Sequence, residues 1–435
     1  MLRPTFVLFL VTLIVSSACS LFRQKNDLPV AVSPPAASPV AATSIVARTA
    51  VPPPPPAETP PLTLWTTSEI SPRSEVPGGA ELVQQLAEFE DNHPHLAVNV
   101  ELKTISEPGG TLSYLRVGRP IAPTILPDLV LLPTDELAGA AADQLIFPLD
   151  DLLAPELVDD LFPVARALGE ADGRLVGYPF ALTGLTHLAY NNRTITMTLP
   201  TTWDSFVASG QSMVMPAAAT QEAGLLVQLY LAAGGSLVNQ AGQPSLQVEP
   251  LTMALALLGQ AREQGVILAE SSNVESVAAG WQFFQNGLAP VAQTTPHLFL
   301  ESRALGFNAG FASLPGPDGP LPPLAQGWAW AISTPNPERQ VWAAELLAWL
   351  VSGPNLGRWS RQSFNLPARR MAWAEWTATD PYVVFLQREV ERAEPFPAVT
   401  TPAMLTALGN AVFEVVSLSA SPPAAAEKAA AAVRP

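Results

Sequence analysis

The sequence predicts an α/β fold built on a mostly parallel sheet, and three observations carry that prediction. LTLWT at 62–66 reads as a short strand, followed by an amphipathic helix at 78–92 and an alternating strand at 96–102. DLVLL at 128–132 is apolar after its first residue, as in a strand covered on both faces. Strand, helix, strand and helix-like material before the next apolar strand is the βαβ succession of a parallel sheet. The chain has 435 residues, enough beyond a leader and a linker for two domains or one two-lobed unit.

Composition narrows the function classes. Apolar residues make up 48%, which supplies a sizeable core, and charged residues only 14%. A net charge of −16 argues against a nucleic-acid groove, because phosphate binding needs a concentrated basic surface. The one cysteine, Cys19, excludes a disulfide within the chain and a cysteine-rich metal site. His93 and His95 flank Pro94 and lack the i, i+4 spacing of a helical zinc pair, so no metal is expected. No G-x-S-x-G, H-E-x-x-H, phosphate loop or cysteine nucleophile is present, and no cofactor is called for. The paired carboxylates of a glycosidase leave no spacing signature, so a carbohydrate hydrolase stays open as an alternative.

At the start of the chain, Arg3 precedes an apolar run at 6–15, too short to span a membrane well. Ser16, Ser17 and Ala18 then lead directly to Cys19. This resembles a bacterial lipoprotein signal, with Ser16 standing where leucine is usual. The resemblance implies cleavage after residue 18 and lipid on Cys19. Residues 27–61 are rich in Pro, Ala, Val, Ser and Thr, with five consecutive prolines at 52–56. Such a stretch lacks the N–H donors of a strand or helix and should be an extended, semi-rigid stalk.

Further along, residues 151–168 read as one helix ended by Gly169. GRLVGYPFALTGLTHLAYNN at 173–192 contains two extended runs, 174–178 and 185–190, around 180–184. Taken alone it is either a hairpin or the passage from one lobe to another. Helices are expected at 201–210, 220–233, 250–264 and 274–286, the last three stopped by glycine or Asn-Gly. A strand at 290–293 runs into a helix start at 294–296. An extended piece at 311–315, a proline-rich turn at 317–323 and a strand at 325–334 follow. A periodic helix covers 337–350, continued at 354–360, and late helices cover 382–391 and 402–416 before an alanine-rich tail.

Several blocks, in order, resemble the family 1 extracellular solute-binding proteins of bacterial ABC importers. They are LTLWT, FEDNHPHLAVNVE, PDLVLLPTDEL, FPLDDLL, the 173–192 stretch, LPTTWDSF, LAAGGS, WQFFQNGLAPVAQTTPHL, GWAWAISTPNPERQVWAAELLAWL and FNLPARRMAW. The resemblance covers about 62–376. It implies a type II periplasmic-binding-protein-like fold, α/β, with two discontinuous lobes joined by hinge crossings. After a signal peptide at 1–18 and a lipidated linker at 19–61, lobe 1 is expected at 62–182 plus 312–334. Lobe 2 is expected at 183–311 plus 335–435, with the first crossing at 180–184 and the others at 311–315 and 333–336. The implied protein is a monomeric, non-catalytic receptor on the outer face of the cytoplasmic membrane. It would carry a small solute, most often a sugar, to the membrane subunits of an ABC permease. A binding or sensor module without a transporter is a further alternative.

Sugar recognition needs aromatic faces for ring C–H groups and paired donors and acceptors for hydroxyls. On a parallel sheet, ligands sit beyond the carboxyl ends of the strands, which singles out 65–69 and 133–136. Matched positions then nominate Trp65, Thr67, Ser68, Asp135, Thr183, Gln293, Thr294, Trp328, Asn365 and Arg369. The family's usual Ala-Met-x-x-x-Gly-x-Trp is replaced by PVAQTTPHLF at 290–299, so a typical oligosaccharide stack is not expected there. Lipid attachment makes a direct prediction: Cys19→Ser should move the protein from the membrane to the soluble fraction, and retention in the membrane would overturn the anchor.

Overall fold

The computed structural model describes residues 60–433 except 74 and 106–108, so Cys19 and the proline-rich stretch lie outside the described residues. Among the described residues, thirteen strands follow one another. They are β1 Leu62–Thr66, β2 Val98–Leu102, β3 Leu129–Pro133, β4 Glu170–Ala171, β5 Arg174–Leu175, β6 Tyr178–Gly184 and β7 His187–Tyr190. Then come β8 Met213–Val214, β9 Val291–Thr294, β10 Gly310–Ala312, β11 Leu324–Ile332, β12 Leu366–Pro367 and β13 Glu394–Pro395.

Two sheets organise these strands. The seven-stranded sheet runs β12-β6-β11-β3-β1-β2, with β13 beside the start of β11. Its β2-β1-β3 part is parallel, and β11 and β6 are added antiparallel. The four-stranded sheet runs β10-β7-β9-β8. β4 and β5 form a separate two-stranded ribbon, so the run at 174–178 is divided between that ribbon and the start of β6.

The apolar run of β3 is buried because both its faces are covered. Leu129 and Leu131 join one core cluster and Val130 and Leu132 another, as the two-residue period of a strand requires. β11 alternates likewise, with Trp330 and Ile332 on the first cluster and Ala329 and Ala331 on the second. A further cluster joins the four-stranded sheet to the helices Gly224–Ala232, Val248–Glu263, Pro402–Val416 and Pro422–Ala432.

Three expectations are revised. The helix at 151–168 is two helices, Pro155–Asp159 and Pro163–Gly169. Phe162 is extended before Pro163, which lacks the N–H that a continuous helix would need. Residues 180–184, expected as the first crossing, are the end of β6, and the chain changes sheet just after them, between Gly184 and His187. The helices Pro337–Leu350 and Gly353–Ser363 pack on β1, β11 and helix Gly79–Asn92, the side of the seven-stranded sheet, while 335–435 was expected on the other lobe.

A buried ion pair fixes where the fold begins. Asp128, just before β3, accepts the Thr63 N–H at 2.8 Å. It also accepts Arg339 Nε at 2.6 Å and Nη2 at 2.5 Å. Arg339 in turn reaches the carbonyls of Pro60 and Pro61. Asn336 caps the same helix, its side chain accepting the Glu338 and Arg339 N–H groups. One cluster thus ties the entry of β1 to β3 and to helix Pro337–Leu350.

His187, the first residue of β7, is buried among Phe299, Tyr382 and Phe385, with Nε2 3.1 Å from the Tyr382 hydroxyl. Burial pushes its pKa down to about 3, and the Leu185 backbone pulls the other way without overcoming it. Burial also keeps the Tyr382 phenol protonated, its pKa raised well above the usual value.

Two predictions follow from these buried groups. Arg339→Met leaves the Asp128 carboxylate without its cation and should cost about 3–5 kcal/mol, read as a fall in the urea midpoint. His187 is neutral when folded and titrates near its ordinary 6.5 when unfolded. Its contribution to stability is therefore complete above pH 6.5 and declines as pH falls toward about 3. Between pH 6.5 and 5 the expected loss is about 1.4 kcal/mol per pH unit. His187→Gln should flatten that part of the profile, and an unchanged slope would refute the assignment.

Candidate functional site

Register places the polar ends of several strands together. Thr183 of β6 lies opposite Gln326 of β11, and Trp328 of β11 lies opposite Pro133 at the end of β3. The carboxyl ends of β1, β3 and β6 therefore meet the beginning of β11 along one edge of the sheet. Gly327 allows this approach, since a Cβ there would meet the Ala181 carbonyl oxygen at 2.3 Å. The Gly327 N–H donates to Thr134 Oγ1 at 3.2 Å, joining the loop after β3 to β11.

A cavity of about 350 Å³ opens beyond this edge. Thr134, Asp135, Ala138, Ala167, Leu168, Glu170 and Gln326 line it from the side of the seven-stranded sheet. Pro395 of β13, Phe396, Pro397, Ala398 and Thr400 continue the lining to Pro402 and Leu405, where helix Pro402–Val416 packs in the cluster of the four-stranded sheet. Phe396 is the aromatic wall. Glu170 Oε1 accepts Arg166 Nε at 2.7 Å, and Asp135 is exposed and forms no ion pair among the described residues. The volume falls within the range of small-molecule sites, and the lining combines apolar surface with amide, hydroxyl and carboxylate groups.

A smaller cavity, about 140 Å³, lies at the change of sheet. Leu182, Thr183 and Gly184 face Thr295, Pro296 and His297 at the start of helix Pro296–Ala304, with Phe364, Asn365 and Leu366 completing it. The Thr295 side chain caps that helix by accepting the Leu298 N–H. Phe364 has a left-handed backbone, φ 60°, and its ring stands edge-on to His297 at 6.2 Å.

The nominated residues distribute unevenly over these places. Asp135 lies in the larger cavity, and Thr183 and Asn365 in the smaller one. Trp65 lines a separate groove of about 460 Å³ with Lys103 and Tyr114, the Lys103 ammonium 4.5 Å from its ring centre. Thr67 is buried and accepts the Ile70 N–H, while Ser68 is exposed. Gln293 and Thr294 are buried in β9, Gln293 beside Thr186 at a small void. Trp328 is half-buried against the core.

Arg369 is the clear correction. Its guanidinium is buried, donating to Asp160 Oδ2 at 2.9 Å and to the Val351 carbonyl at 2.5 Å. These bonds hold the closing loop to the segment before helix Pro163–Gly169, and Arg369 lines neither the cavity of about 350 Å³ nor that of about 140 Å³. Conversely, Gln326, Phe396 and Thr400 line the cavity without having been nominated. The proline-flanked Phe396 in PFP at 395–397 is the signal that sequence reading passed over. Among the described residues no cluster of acidic, histidine or cysteine side chains is placed to hold a metal, and no helix is long and apolar enough to cross a membrane.

Known structures resemble this architecture. The cyclic α-maltosyl-1,6-maltose binding protein from Arthrobacter globiformis superposes with a TM-score of 0.69 at 18% identity, over 86% of this chain and 97% of that one. Maltose-bound MalE3 of T. maritima gives 0.64 at 18% identity, over 85% and 98%. The GacH receptor of Streptomyces glaucescens, studied unliganded and with acarbose, gives 0.64 at 17% identity, over 85% and 96%. No curated protein sequence matches the chain. The fold is the two-lobed α/β architecture of these binding proteins, and this chain builds it with a seven-stranded and a four-stranded sheet. The profile of the bacterial extracellular solute-binding proteins matches residues 84–382, and the chain belongs to that family.

Proposed function

We propose that this protein is a lipid-anchored receptor that captures a carbohydrate between its lobes and delivers it to the permease of an ABC importer. The observation that carries the reading is the cavity of about 350 Å³ lined by the residues just after β3, the start of β11, β13 and the start of helix Pro402–Val416, a helix that packs in the cluster of the four-stranded sheet. A solute held there stabilises the closed arrangement, and a permease can distinguish closed from open. Phe396 offers an aromatic surface to ring C–H groups, and Asp135, Gln326 and Thr400 offer hydrogen-bonding groups to hydroxyls. We assign Thr183 and Asn365 to the rim of the same cleft, beside the passage 185–186 between β6 and β7. The second passage is the proline-rich segment between β10 and β11, and a third lies between helix Gly353–Ser363 and helix Pro402–Val416. On this reading lobe 1 includes the helices at 337–363, and the helices at 402–432 belong to lobe 2. The sequence of the leader supports tethering through Cys19, and binding with release supports transport without catalysis.

A thermal-shift screen of residues 62–435 against mono- and oligosaccharides, polyols and amino acids tests the reading. A solute at one hundred times its Kd should add about 2.7 kcal/mol of stability. Phe396→Ala should weaken binding of that solute about two- to tenfold, the usual value of an aromatic contact, and should also lower the unliganded melting temperature, because Phe396 packs on the core of the four-stranded sheet. A screen in which no solute of any class raises the melting temperature would remove the receptor reading.

A further inference from the structure

The charge of the cleft points to a class of solute. Both ionisable side chains that line the larger cavity, Asp135 and Glu170, are acidic. The lining from Pro395 to Leu405 contributes proline, phenylalanine, alanine, threonine and leucine, and therefore no charge. Arg166, 53% exposed, reaches Glu170 at 2.7 Å but does not line the cavity. Asp135 has no such neighbour among the described residues, and it stands in the first turn of the 3-10 helix Thr134–Glu136 directly after β3. A net charge of −16 adds to the field.

From this arrangement we propose that the cleft selects amino-substituted carbohydrates, with Asp135 as the specificity-determining residue. The proposal rests on the receptor reading above and adds to it the charge of the solute. An anionic sugar entering the cavity exchanges its hydration for a lining without a cation, which is unfavourable. A neutral sugar meets amide, hydroxyl and carboxylate acceptors and donors and is tolerated. A sugar ammonium gains a carboxylate that has no other cation, and Phe396 provides an aromatic surface that attracts rather than repels positive charge. Asp135 is exposed in the solute-free cavity, so its effect grows as the lobes close and exclude water.

Binding measured by calorimetry with three matched probe pairs tests the assignment: glucose and cellobiose, glucosamine and its β-1,4 dimer, glucuronate and its β-1,4 dimer. The amino sugars should bind at least about fivefold more tightly than the neutral ones, and the preference should shrink toward about 0.3 M salt as charge is screened. The uronates should bind weakest. Asp135→Asn, which keeps the size of the side chain, should bring the amino-to-neutral ratio close to one by weakening the amino sugars more than the neutral ones. Neutral binding with no amino preference, or a ratio unchanged in Asp135→Asn, overturns the selectivity and leaves the receptor reading standing. Binding by none of the six sugars overturns the carbohydrate reading and the selectivity together.

Discussion

The antiparallel pairing of β6 with β11 is the constraint on which the rest of the molecule depends. β11 lies between β3 and β6, so the parallel part of the sheet reaches the first passage between sheets only through it. Two glycines make the contact possible. Gly327 lets β11 approach the Ala181 carbonyl, and Gly184, with φ 77°, lets β6 end against the Leu324 carbonyl. A side chain at either place would meet backbone at under 3 Å, and backbone cannot move aside as a flexible side chain can. The Leu185 N–H then donates to the Leu324 carbonyl at 2.9 Å, so the end of one passage and the end of another share a hydrogen bond. The alignment of Thr134, Thr183 and Gln326 along one edge follows from that register.

Strain and buried polarity gather at the same corner. Leu185 and Phe364 both have left-handed backbones, costly for residues with a Cβ, and both border the small cavity or its passage. His187 lies two residues beyond Leu185 and is held neutral by apolar and aromatic neighbours. Its contact with Tyr382 links the start of β7 to the helix Pro381–Glu391. Glu389 on that helix accepts the Ser313 hydroxyl at 2.9 Å, so the same helix also holds the start of the second passage. A single helix thereby contacts both the start of β7 and the segment that follows β10.

Several elements were legible from residue pattern because local forces decide them. The apolar run of β3 and the periodic helix at 337–350 occur where their patterns put them. Asp135 lies beyond the end of a parallel strand, as the strand-end rule requires. Other features depended on partners distant in the chain. Arg369 has the chemistry of a solute ligand, but Asp160, far away in sequence, engages it. Trp65 ends the first strand as expected, yet Lys103 and Tyr114 enclose it in a groove of its own. Phe396 is marked locally only by its flanking prolines, because its place in the cavity lining depends on β13 pairing with β11.

By itself, then, the sequence determined the α/β class, the order of strands and helices, the acidic balance and the kinship carried by ordered motifs. Hydrophobic period, proline and glycine placement and composition are local or summed properties, and folding does not change them. Tertiary structure alone decided where one sheet gives way to the other, which lobe receives the helices after β11 and which polar groups remain free to meet a solute. Those outcomes rest on register and on long-range ion pairs such as Arg369 with Asp160, where a side chain is claimed by whichever partner the fold brings within reach.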